Sequence, residues 1–399
     1  MKYNLSEFRN HPNILAGYYR QFDVENRLLF TGHSHQAWPD VAYDGMKKSW
    51  ADATLYADEK WGKALEKADA VSQGFSRLLD DEQGYIALGS NTHELVVRFL
   101  SSLDLRKRPK IVTTSGEFHS IRRQLARLSE EGVEVARADS YPVEDVADKI
   151  IALIDSRTAA VLVSSVFFET GLINPGLRAI ASACADAGVE LLVDAYHSLN
   201  VAPFSVKELG LQQAFVTGGG YKYCQLGEGN CFLRFPAAYQ GRPLITGWFS
   251  EFSLLSQKEN GKVQYGEKEG LFAGSTYDPV SHYRAAEVFR FFEEQELRPA
   301  FLREISQHQT ALMVSTFLDL DLPGHIISLD HAVKNEQRAG FVAFHTPMAP
   351  QINELLIHHG VLTDYRGNSL RFGPAPYHSD RQIKEAVQIL GQVVRKESI

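Results

Sequence analysis

The stretch from 189 to 235, VELLVDAYHSLNVAPFSVKELGLQQAFVTGGGYKYCQLGEGNCFLRF, decides how the rest of the chain is interpreted. It opens with an apolar run that ends in Asp194, and His197 follows three residues later. A second apolar run leads into three glycines and then into Tyr221 and Lys222. Short β-rich runs of this kind are typical of buried parallel strands. Because ligands of open α/β sheets bind beyond the carboxyl ends of such strands, we expect Asp194, His197 and Lys222 to lie at a functional site.

Asp194 and Lys222 together suggest the chemistry of an aldehyde cofactor. A lysine amine can hold pyridoxal phosphate as a Schiff base, and a carboxylate can keep the pyridine nitrogen protonated, which makes the ring an electron sink. The spacing of the two residues leaves room for one crossover connection and one strand. Taken alone, a strand-end aspartate more often caps a turn and a lysine is more often solvated. The joint pattern, with His197 and Tyr221 beside it, favours a pyridoxal phosphate site.

These motifs resemble those of kynureninases. VDAYH, with Asp194 and His197, resembles the D-x-x-H motif of that family, and GGYKY around Lys222 resembles its S-Y-K-Y cofactor-lysine motif. Kynureninases are part of the class V branch of fold-type I pyridoxal phosphate-dependent enzymes, the aminotransferase class V superfamily. The resemblance extends from about Leu29 to about Tyr377.

The resemblance implies an α/β fold, with a large domain built on a mainly parallel seven-stranded sheet and a smaller α+β C-terminal domain. The alternation of strand and helix patterns from Gly84 to Lys222 independently favours a mainly parallel sheet covered on both faces. The expected divisions are an N-terminal arm at 1–30, the large cofactor-binding domain at 31–280, and the small domain at 281–399 with part of the arm.

The resemblance also implies a set of cofactor contacts. Ser90, Asn91 and Thr92 begin a helix, whose N-terminus would cradle the phosphate because its free N–H groups and positive dipole end attract anions. Phe118 would stack on the ring, with His119 as the neighbouring alternative. The expected catalytic residues are Lys222, Asp194 and Phe118, and the expected cofactor-binding residues are Ser90, Asn91, Thr92, Phe118, Asp194, His197, Tyr221, Lys222, Trp248 and Thr276.

Two of these contacts imply a homodimer with shared active sites. Gly247-Trp248-Phe249 resembles a Gly-Trp-Phe element of kynureninases, in which the tryptophan reaches the cofactor phosphate of the neighbouring subunit. Thr276 lies in the next similar element, which also crosses the interface. Packing without a ligand role is the alternative for Trp248, but two matches in register favour the functional interpretation.

Candidate substrate contacts come from both ends of the chain. Arg371, within a segment similar to the Arg-x-x-Pro-x-Pro-Leu-Tyr of kynureninases, would hold the α-carboxylate of an amino acid through two parallel N–H bonds. Arg366 is the competing candidate. His33 and Ser34, in Gly32-His33-Ser34, resemble the G-N-S loop that lines the family's substrate pocket, with histidine in place of asparagine. A simple strand-to-turn exit is the alternative interpretation of that loop.

The leading function is a pyridoxal phosphate-dependent, kynureninase-like hydrolase that cleaves a Cβ–Cγ bond of an amino acid. Two departures leave other reactions open: Ile121 stands where kynureninases have an aspartate, and their Gly-His-Phe loop is missing. The alternatives are a class V aminotransferase, lyase or epimerase, or a non-catalytic binding module on the same fold. Cysteine desulfurase is disfavoured because no cysteine follows Cys231.

Composition argues against several other classes of protein. The formal net charge is −8 over 399 residues without long runs of like charge, so nothing favours nucleic acid or a membrane as a partner. No apolar run is long enough to span a membrane, and the first ten residues lack the apolar core of a signal peptide. Three cysteines form no disulfide framework, and the histidines lack zinc-site spacing. We therefore expect a cytoplasmic protein without a metal.

Overall fold

The computed structural model describes residues 2–256 and 261–397, and its centre is a seven-stranded sheet. The strands are β1 (Leu28–Leu29), β2 (Tyr85–Gly89), β3 (Lys110–Thr114), β4 (Glu134–Ala138), β5 (Thr158–Ser164), β6 (Glu190–Asp194), β7 (Phe215–Gly219), β8 (Cys231–Phe235), β9 (Val342–His345), β10 (Val361–Leu362), β11 (Asp364–Arg366) and β12 (Ser369–Phe372). The large sheet has the order β2-β8-β7-β6-β5-β3-β4, and of its seven strands β8 runs opposite to the other six. The predicted seven-stranded, mainly parallel sheet is confirmed.

Helices connect these strands and cover the sheet. The α-helices are α1 (Leu5–Arg9), α2 (Val41–Tyr56), α3 (Lys60–Leu78), α4 (Thr92–Leu100), α5 (His119–Glu130), α6 (Val146–Leu153), α7 (Leu177–Ala187), α8 (Val280–Glu294), α9 (Pro299–Asp319), α10 (Ala349–His358) and α11 (Asp380–Glu397). Short 3-10 helices lie at Ala16–Tyr18, Arg20–Phe22, Ala57–Glu59, Val143–Asp145, Trp248–Leu254, Lys268–Gly270 and Asn335–Gln337. Helix α7 is capped at its C-terminus by Gly188, because glycine readily adopts the φ of +59° found there.

Alternation along the central strands explains why both faces of the sheet are buried. In β5, Val161 and Val163 enter one hydrophobic core, whereas Ala160 and Leu162 enter another. Successive side chains of a strand point to opposite faces, so a strand that is apolar throughout needs cover on both. The run AAVLV in this strand satisfies that requirement.

The sheet brings the ends of β6 and β7 side by side. These strands are parallel neighbours, and Asp194, the last residue of β6, is aligned with Thr217 of β7. Two residues later, Gly219 leaves no room for a side chain, because a Cβ there would lie 2.4 Å from Tyr196 Oη. The glycine run at the end of β7 thus lets the chain turn tightly toward Lys222.

The C-terminal part has its own sheet and core. Strands β11, β12 and β9 form an antiparallel three-stranded sheet, and residues such as Phe344, Leu370 and Ile383 form a second hydrophobic cluster. Strand β1 joins this part by pairing in parallel with β10. The division of the chain at residues 30 and 280 stays a prediction.

A buried ion pair lies at the end of the large sheet that is opposite the carboxyl ends of β6 and β7. Arg234, near the end of β8, is 1% exposed and donates from Nε to Asp81 Oδ2 over 2.6 Å. It also donates to backbone carbonyls at Gln212 and Ala214. A buried guanidinium needs such partners, because an unpaired buried charge costs several kcal/mol.

The three cysteines lie in the packed interior. Cys184, Cys224 and Cys231 are free thiols and all are buried. Over residues 2–256 and 261–397, no group of three or more histidine, cysteine or acidic side chains is arranged to hold a metal ion. Among the helices of those same ranges, none combines the length and the apolar character that crossing a membrane requires.

Candidate active site

A cavity of about 340 Å³ lies where the sheet topology predicts a ligand site, at the carboxyl ends of β6 and β7. This volume is within the range of about 300–1,000 Å³ that is typical of small-molecule sites. Its wall includes the predicted residues Ser90, Asn91, Thr92, Phe118, Asp194, His197, Tyr221 and Lys222. The fold therefore brings these distant parts of the chain to one cavity, while their roles toward a cofactor stay predictions.

Asp194 faces this cavity as a buried carboxyl group. It is 6% exposed, and the Tyr196 N–H donates to Oδ1 over 2.9 Å. In the described part of the chain, this is the one hydrogen bond that its carboxyl oxygens accept from a side chain or backbone N–H. Burial raises the pKa of Asp194 to about 6, against the lowering effect of the Tyr196 N–H and the Lys222 charge. Such a group is stabilised as a carboxylate by a cationic donor, and a protonated pyridine nitrogen is one.

Lys222 is a buried amine with little to hold it in the protonated form. Its Nζ donates to the backbone carbonyl of His33 over 3.3 Å. Three aromatic rings surround Nζ at 5.2 to 5.5 Å from their centroids: Tyr221, Tyr196 and Phe118. Burial lowers the pKa of Lys222 to about 7, the charge of Arg371 lowers it further, and that of Asp194 raises it. A substantial fraction of this amine is therefore a neutral nucleophile at neutral pH.

The N-terminus of α4 forms another wall of the cavity. Asn91 caps the helix: its Oδ1 accepts the Glu94 N–H over 3.0 Å, and its Nδ2 donates to Glu94 Oε1 over 2.9 Å. Thr92 opens the helix and contacts Cys231 Sγ through Oγ1 at 3.7 Å. A helix N-terminus that faces a cavity is suited to a phosphate group.

Phe118, rather than the alternative His119, lines the cavity. Its ring meets Phe168 edge to face, with 5.2 Å between centroids and an angle of 89° between planes. His119 is exposed and lies outside the cavity lining. His197 is 4% exposed, and burial lowers its pKa well below the ordinary value, so this ring is neutral at pH 7.

Glu117 is a buried carboxyl group that the sequence interpretation missed. It accepts from Thr114 Oγ1 and Ser164 Oγ, both over 2.6 Å, and from the Ser164 N–H over 3.2 Å. Burial raises its pKa to about 7, and the Asp194 charge raises it as well. These bonds join the ends of β3 and β5 beside Phe118. A glutamate just after a strand is usually solvated, so no local pattern distinguished this one.

The predicted substrate residues lie beside the cavity, not in its wall, and one connected set of bonds links them. Arg371 is 3% exposed and forms a two-bond contact with Asp364, through Nε to Oδ1 at 2.8 Å and Nη2 to Oδ2 at 2.5 Å. His33 Nε2 contacts the same Asp364 Oδ1 at 2.7 Å. Ser34 Oγ lies 3.2 Å from His35 Nδ1. Asp364 was not foreseen, although its place opposite Arg371 in a two-residue hairpin could have indicated it.

Trp248 and Thr276 do not line the first cavity of their own chain. Thr276 lines a second cavity of about 660 Å³, which shares Ser90 and Gly229 with the first. Trp248 is 41% exposed and packs against Phe249. This placement agrees with action on a neighbouring subunit, which stays a prediction.

The position where kynureninases carry an aspartate is part of the hydrophobic interior. Ile121 is fully buried and packs in the core that contains Leu95 and Leu125. Position 121 therefore supplies no polar group to the cavity.

Comparison with known proteins shows what this chain is similar to. The family model for the kynureninase C-terminal domain matches residues 302–390. A kynureninase from Pseudomonas fluorescens is 24% identical over 96% of this chain and 93% of its own length. An uncharacterized aminotransferase, YcbU, from Bacillus subtilis (strain 168) is 23% identical over 88% of this chain and 90% of its own.

Solved structures agree on the fold. The apo structure of a cysteine desulfurase from Thermococcus onnurineus NA1 covers 97% of this chain and 99% of that protein, with a TM-score of 0.78 and 16% identity. A C-DES mutant with glycine covalently linked to its PLP cofactor covers 94% of this chain and 98% of that protein, with a TM-score of 0.78 and 13% identity. The chain is thus kynureninase-like in sequence and has the fold of the class V branch of fold-type I pyridoxal phosphate-dependent enzymes.

Proposed function

We propose that this protein is a pyridoxal phosphate-dependent enzyme that acts on an amino acid. The observation that carries the proposal is the meeting of Asp194 and Lys222, from the ends of two neighbouring parallel strands, at one cavity. A carboxyl group and an amine that is partly uncharged at neutral pH, both buried and facing one cavity, have no evident structural purpose.

The residues of the cavity fit this cofactor at each of its ends. Lys222 would carry it covalently, Asp194 would face the pyridine nitrogen, and Phe118 would cover one face of the ring. Ser90, Asn91 and Thr92 at the start of α4, with His197 and Tyr221, would hold the phosphate. When bound, the cofactor supplies an electron sink for the bonds at the substrate Cα.

In the proposed enzyme, each of these side chains would have a defined role. Asp194 would keep a proton on the ring nitrogen, since its own raised pKa makes it a strong acceptor for that N–H. Lys222 moves a proton at the substrate Cα, because an amine with a pKa of about 7 can both accept and release one near neutrality. Phe118 would orient the ring. Arg371, beside Lys222, holds the substrate carboxylate.

For the reaction itself, kynureninase-type hydrolysis of a Cβ–Cγ bond is the leading proposal. It is supported by the family model and by the full-length similarity to kynureninases. Buried Ile121 favours a second candidate, a class V aminotransferase, lyase or epimerase acting on another amino acid. Desulfuration is disfavoured because no cysteine follows Cys231 in the chain.

The test of the reaction is direct product analysis. Protein loaded with pyridoxal phosphate is incubated with kynurenine, and alanine and anthranilate are quantified. Both products in equal amounts are expected for the leading proposal. Absence of both, with a keto acid formed from another amino acid in a panel, would replace it with the second candidate.

A separate measurement tests whether the protein is an enzyme of this kind at all. Pyridoxal phosphate added to the protein should give an absorbance band near the visible edge, and borohydride should fix the label on Lys222. Lys222→Ala should lose both, whereas Lys47→Ala, at an exposed lysine, should keep both. A colourless wild type would favour a non-catalytic binding module instead.

A further inference from the structure

The contacts around Arg371 form one connected unit that reaches Lys222. Lys222 Nζ donates to the His33 carbonyl, His33 Nε2 contacts Asp364, and Asp364 holds Arg371. The strand register sets the last contact, because Asp364 and Arg371 are direct partners across the β11–β12 hairpin. Gly367, with φ of +53°, forms part of its two-residue loop.

His33 is fixed in one protonation state within this unit. The ring is completely buried, and burial lowers the pKa of His33 to about 4, so it is neutral at pH 7. Hydrogen bonds from His33 and Arg371 overcome burial and hold the pKa of Asp364 below its ordinary value, so this group is a carboxylate. A neutral ring that meets a carboxylate through Nε2 must carry its proton there. His33 Nδ1 then has no proton and no hydrogen-bond partner among the described residues, and it faces Gly373.

Asp364 leaves only part of Arg371 open to a ligand. A guanidinium has five N–H donors. Nε and Nη2 each give one to Asp364, and Nη1 gives one to the Phe168 carbonyl over 2.5 Å. One N–H on each terminal nitrogen remains, so a second carboxylate would have to bind at the Nη1–Nη2 end.

The charge near this end stays positive despite Asp364. Arg366 Nη1 lies 3.7 Å from Asp364 Oδ2, so one carboxylate is shared by two guanidinium groups. The surplus positive charge matches a single substrate carboxylate. Arg366 therefore contributes positive charge, whereas the bonds to Asp364 and Phe168 fix the position of the Arg371 guanidinium.

We propose that Asp364 and His33 are positioning residues for the α-carboxylate of the substrate. Asp364 turns the Nη1–Nη2 end of Arg371 toward the cavity, His33 holds Asp364 in place, and the His33 carbonyl keeps Lys222 in register with both. This inference rests on the proposed function. It deepens that function by assigning carboxylate recognition to a unit of three side chains instead of to Arg371 alone.

The test compares two amines that differ only in the carboxylate. L-alanine and ethylamine are titrated into the protein loaded with pyridoxal phosphate, and each dissociation constant is read from the absorbance of the cofactor. The ratio of the two constants reports carboxylate recognition separately from the fraction of folded protein. In the wild type, L-alanine should bind more tightly than ethylamine.

Variants distinguish whether Asp364 positions Arg371 or competes with the substrate carboxylate for it. Asp364→Asn and His33→Ala should each reduce the preference for L-alanine at least about tenfold, with little change for ethylamine. His33→Asn, whose amide can still donate to Asp364, should restore it to within about threefold of the wild type. Asp81→Asn removes a different buried carboxylate–arginine pair, that with Arg234, and it should lower the melting temperature without changing the ratio.

Each remaining outcome overturns the inference in a distinguishable way. Tighter binding of L-alanine by Asp364→Asn would mean that Asp364 competes with the substrate for Arg371. An unchanged ratio would mean that Arg371 needs no positioning. If the wild type responds to neither amine, the proposed function fails and the inference fails with it.

Discussion

At the scale of single residues, burial determines the chemistry of Lys222. Its pKa of about 7 follows from burial first and from the Arg371 charge second, with Arg366 acting in the same direction. The carboxylates of Asp194 and Asp364 oppose this lowering. The sequence could predict a lysine at a strand end, but not the shift, because the neighbours that cause it come from positions up to 149 residues away.

The first prediction concerns the reactivity of this amine. In protein freed of cofactor, acetylation of Lys222 by acetic anhydride should rise with pH through a midpoint near 7, because only the neutral amine reacts. Mass spectrometry of peptides gives the extent at each pH. Lys47, whose bond to Asp44 raises its pKa, serves as the control and should titrate above 10.5. A midpoint for Lys222 near 10 would contradict the prediction.

The second prediction is that Asp194→Asn stabilises the protein while disabling it. Burial raises the pKa of Asp194 from 3.8 to about 6, so keeping it ionised at pH 7 costs at most about 3 kcal/mol. Asparagine avoids this cost and can still accept the Tyr196 N–H. In cofactor-free protein, the unfolding free energy should therefore increase at pH 7. In loaded protein, removal of the Cα proton should slow by at least about 100-fold.

The pH dependence of this variant gives the control. A folded-state pKa above the unfolded one means that the wild type loses stability as the pH rises through that interval. The difference between variant and wild type should thus shrink as the pH falls from 7 toward 5, and denaturant unfolding measures it. A variant that is less stable than the wild type at pH 7 would contradict the sign of the shift.

At the scale of elements, local patterns predicted the ends of single helices well. The cap at Asn91 and the C-cap at Gly188 follow from short-range rules, and both appear in the structure. Glu117 and Asp364 were missed because each acquires its partners from another strand: Ser164 on β5 for the first, Arg371 on β12 for the second. Burial of a charged group depends on such pairings, which no local window contains.

The third prediction concerns the N-terminus of α4. Asn91→Ala removes the bond to the Glu94 N–H and should lower the unfolding free energy by about 1 kcal/mol. If the first turn of this helix holds the phosphate, its loosening should also weaken binding of pyridoxal phosphate about three- to tenfold. Fluorescence titration gives the affinity, and denaturant unfolding gives the stability.

A second cap in the same chain provides the matched control. Asn4 caps α1 in the same manner, with its side chain accepting the Ser6 N–H over 3.0 Å, and it lies outside the lining of the cavity. Asn4→Ala should leave cofactor affinity unchanged. Equal losses of affinity in the two variants would show that the effect of Asn91 is general destabilisation.

At the scale of the whole molecule, the fold followed from the alternation of strands and helices, but assembly did not. The segment around Trp248 exposes several large apolar side chains, among them Leu244 at 87% and Phe252 at 53%. Apolar groups clustered in this way usually mark an interaction surface. The second cavity opens beside the same segment and shares Ser90 with the first. A second copy of this chain seated there could therefore reach the proposed phosphate site.

The last prediction is that the active sites are shared between two copies. Lys222→Ala and Trp248→Ala should each be nearly inactive alone, because one lacks the amine and the other lacks the indole donor. If Trp248 serves the neighbouring subunit, a hybrid dimer has one site with both groups intact. An equal mixture, denatured and refolded together, should then recover about a quarter of the wild-type activity by random pairing. Light scattering should show a dimer throughout, and Leu244→Asp should shift it toward monomer, whereas Ile357→Asp, at an exposed position on α10, should not. A mixture no more active than its parents would place Trp248 in its own subunit's site or outside both.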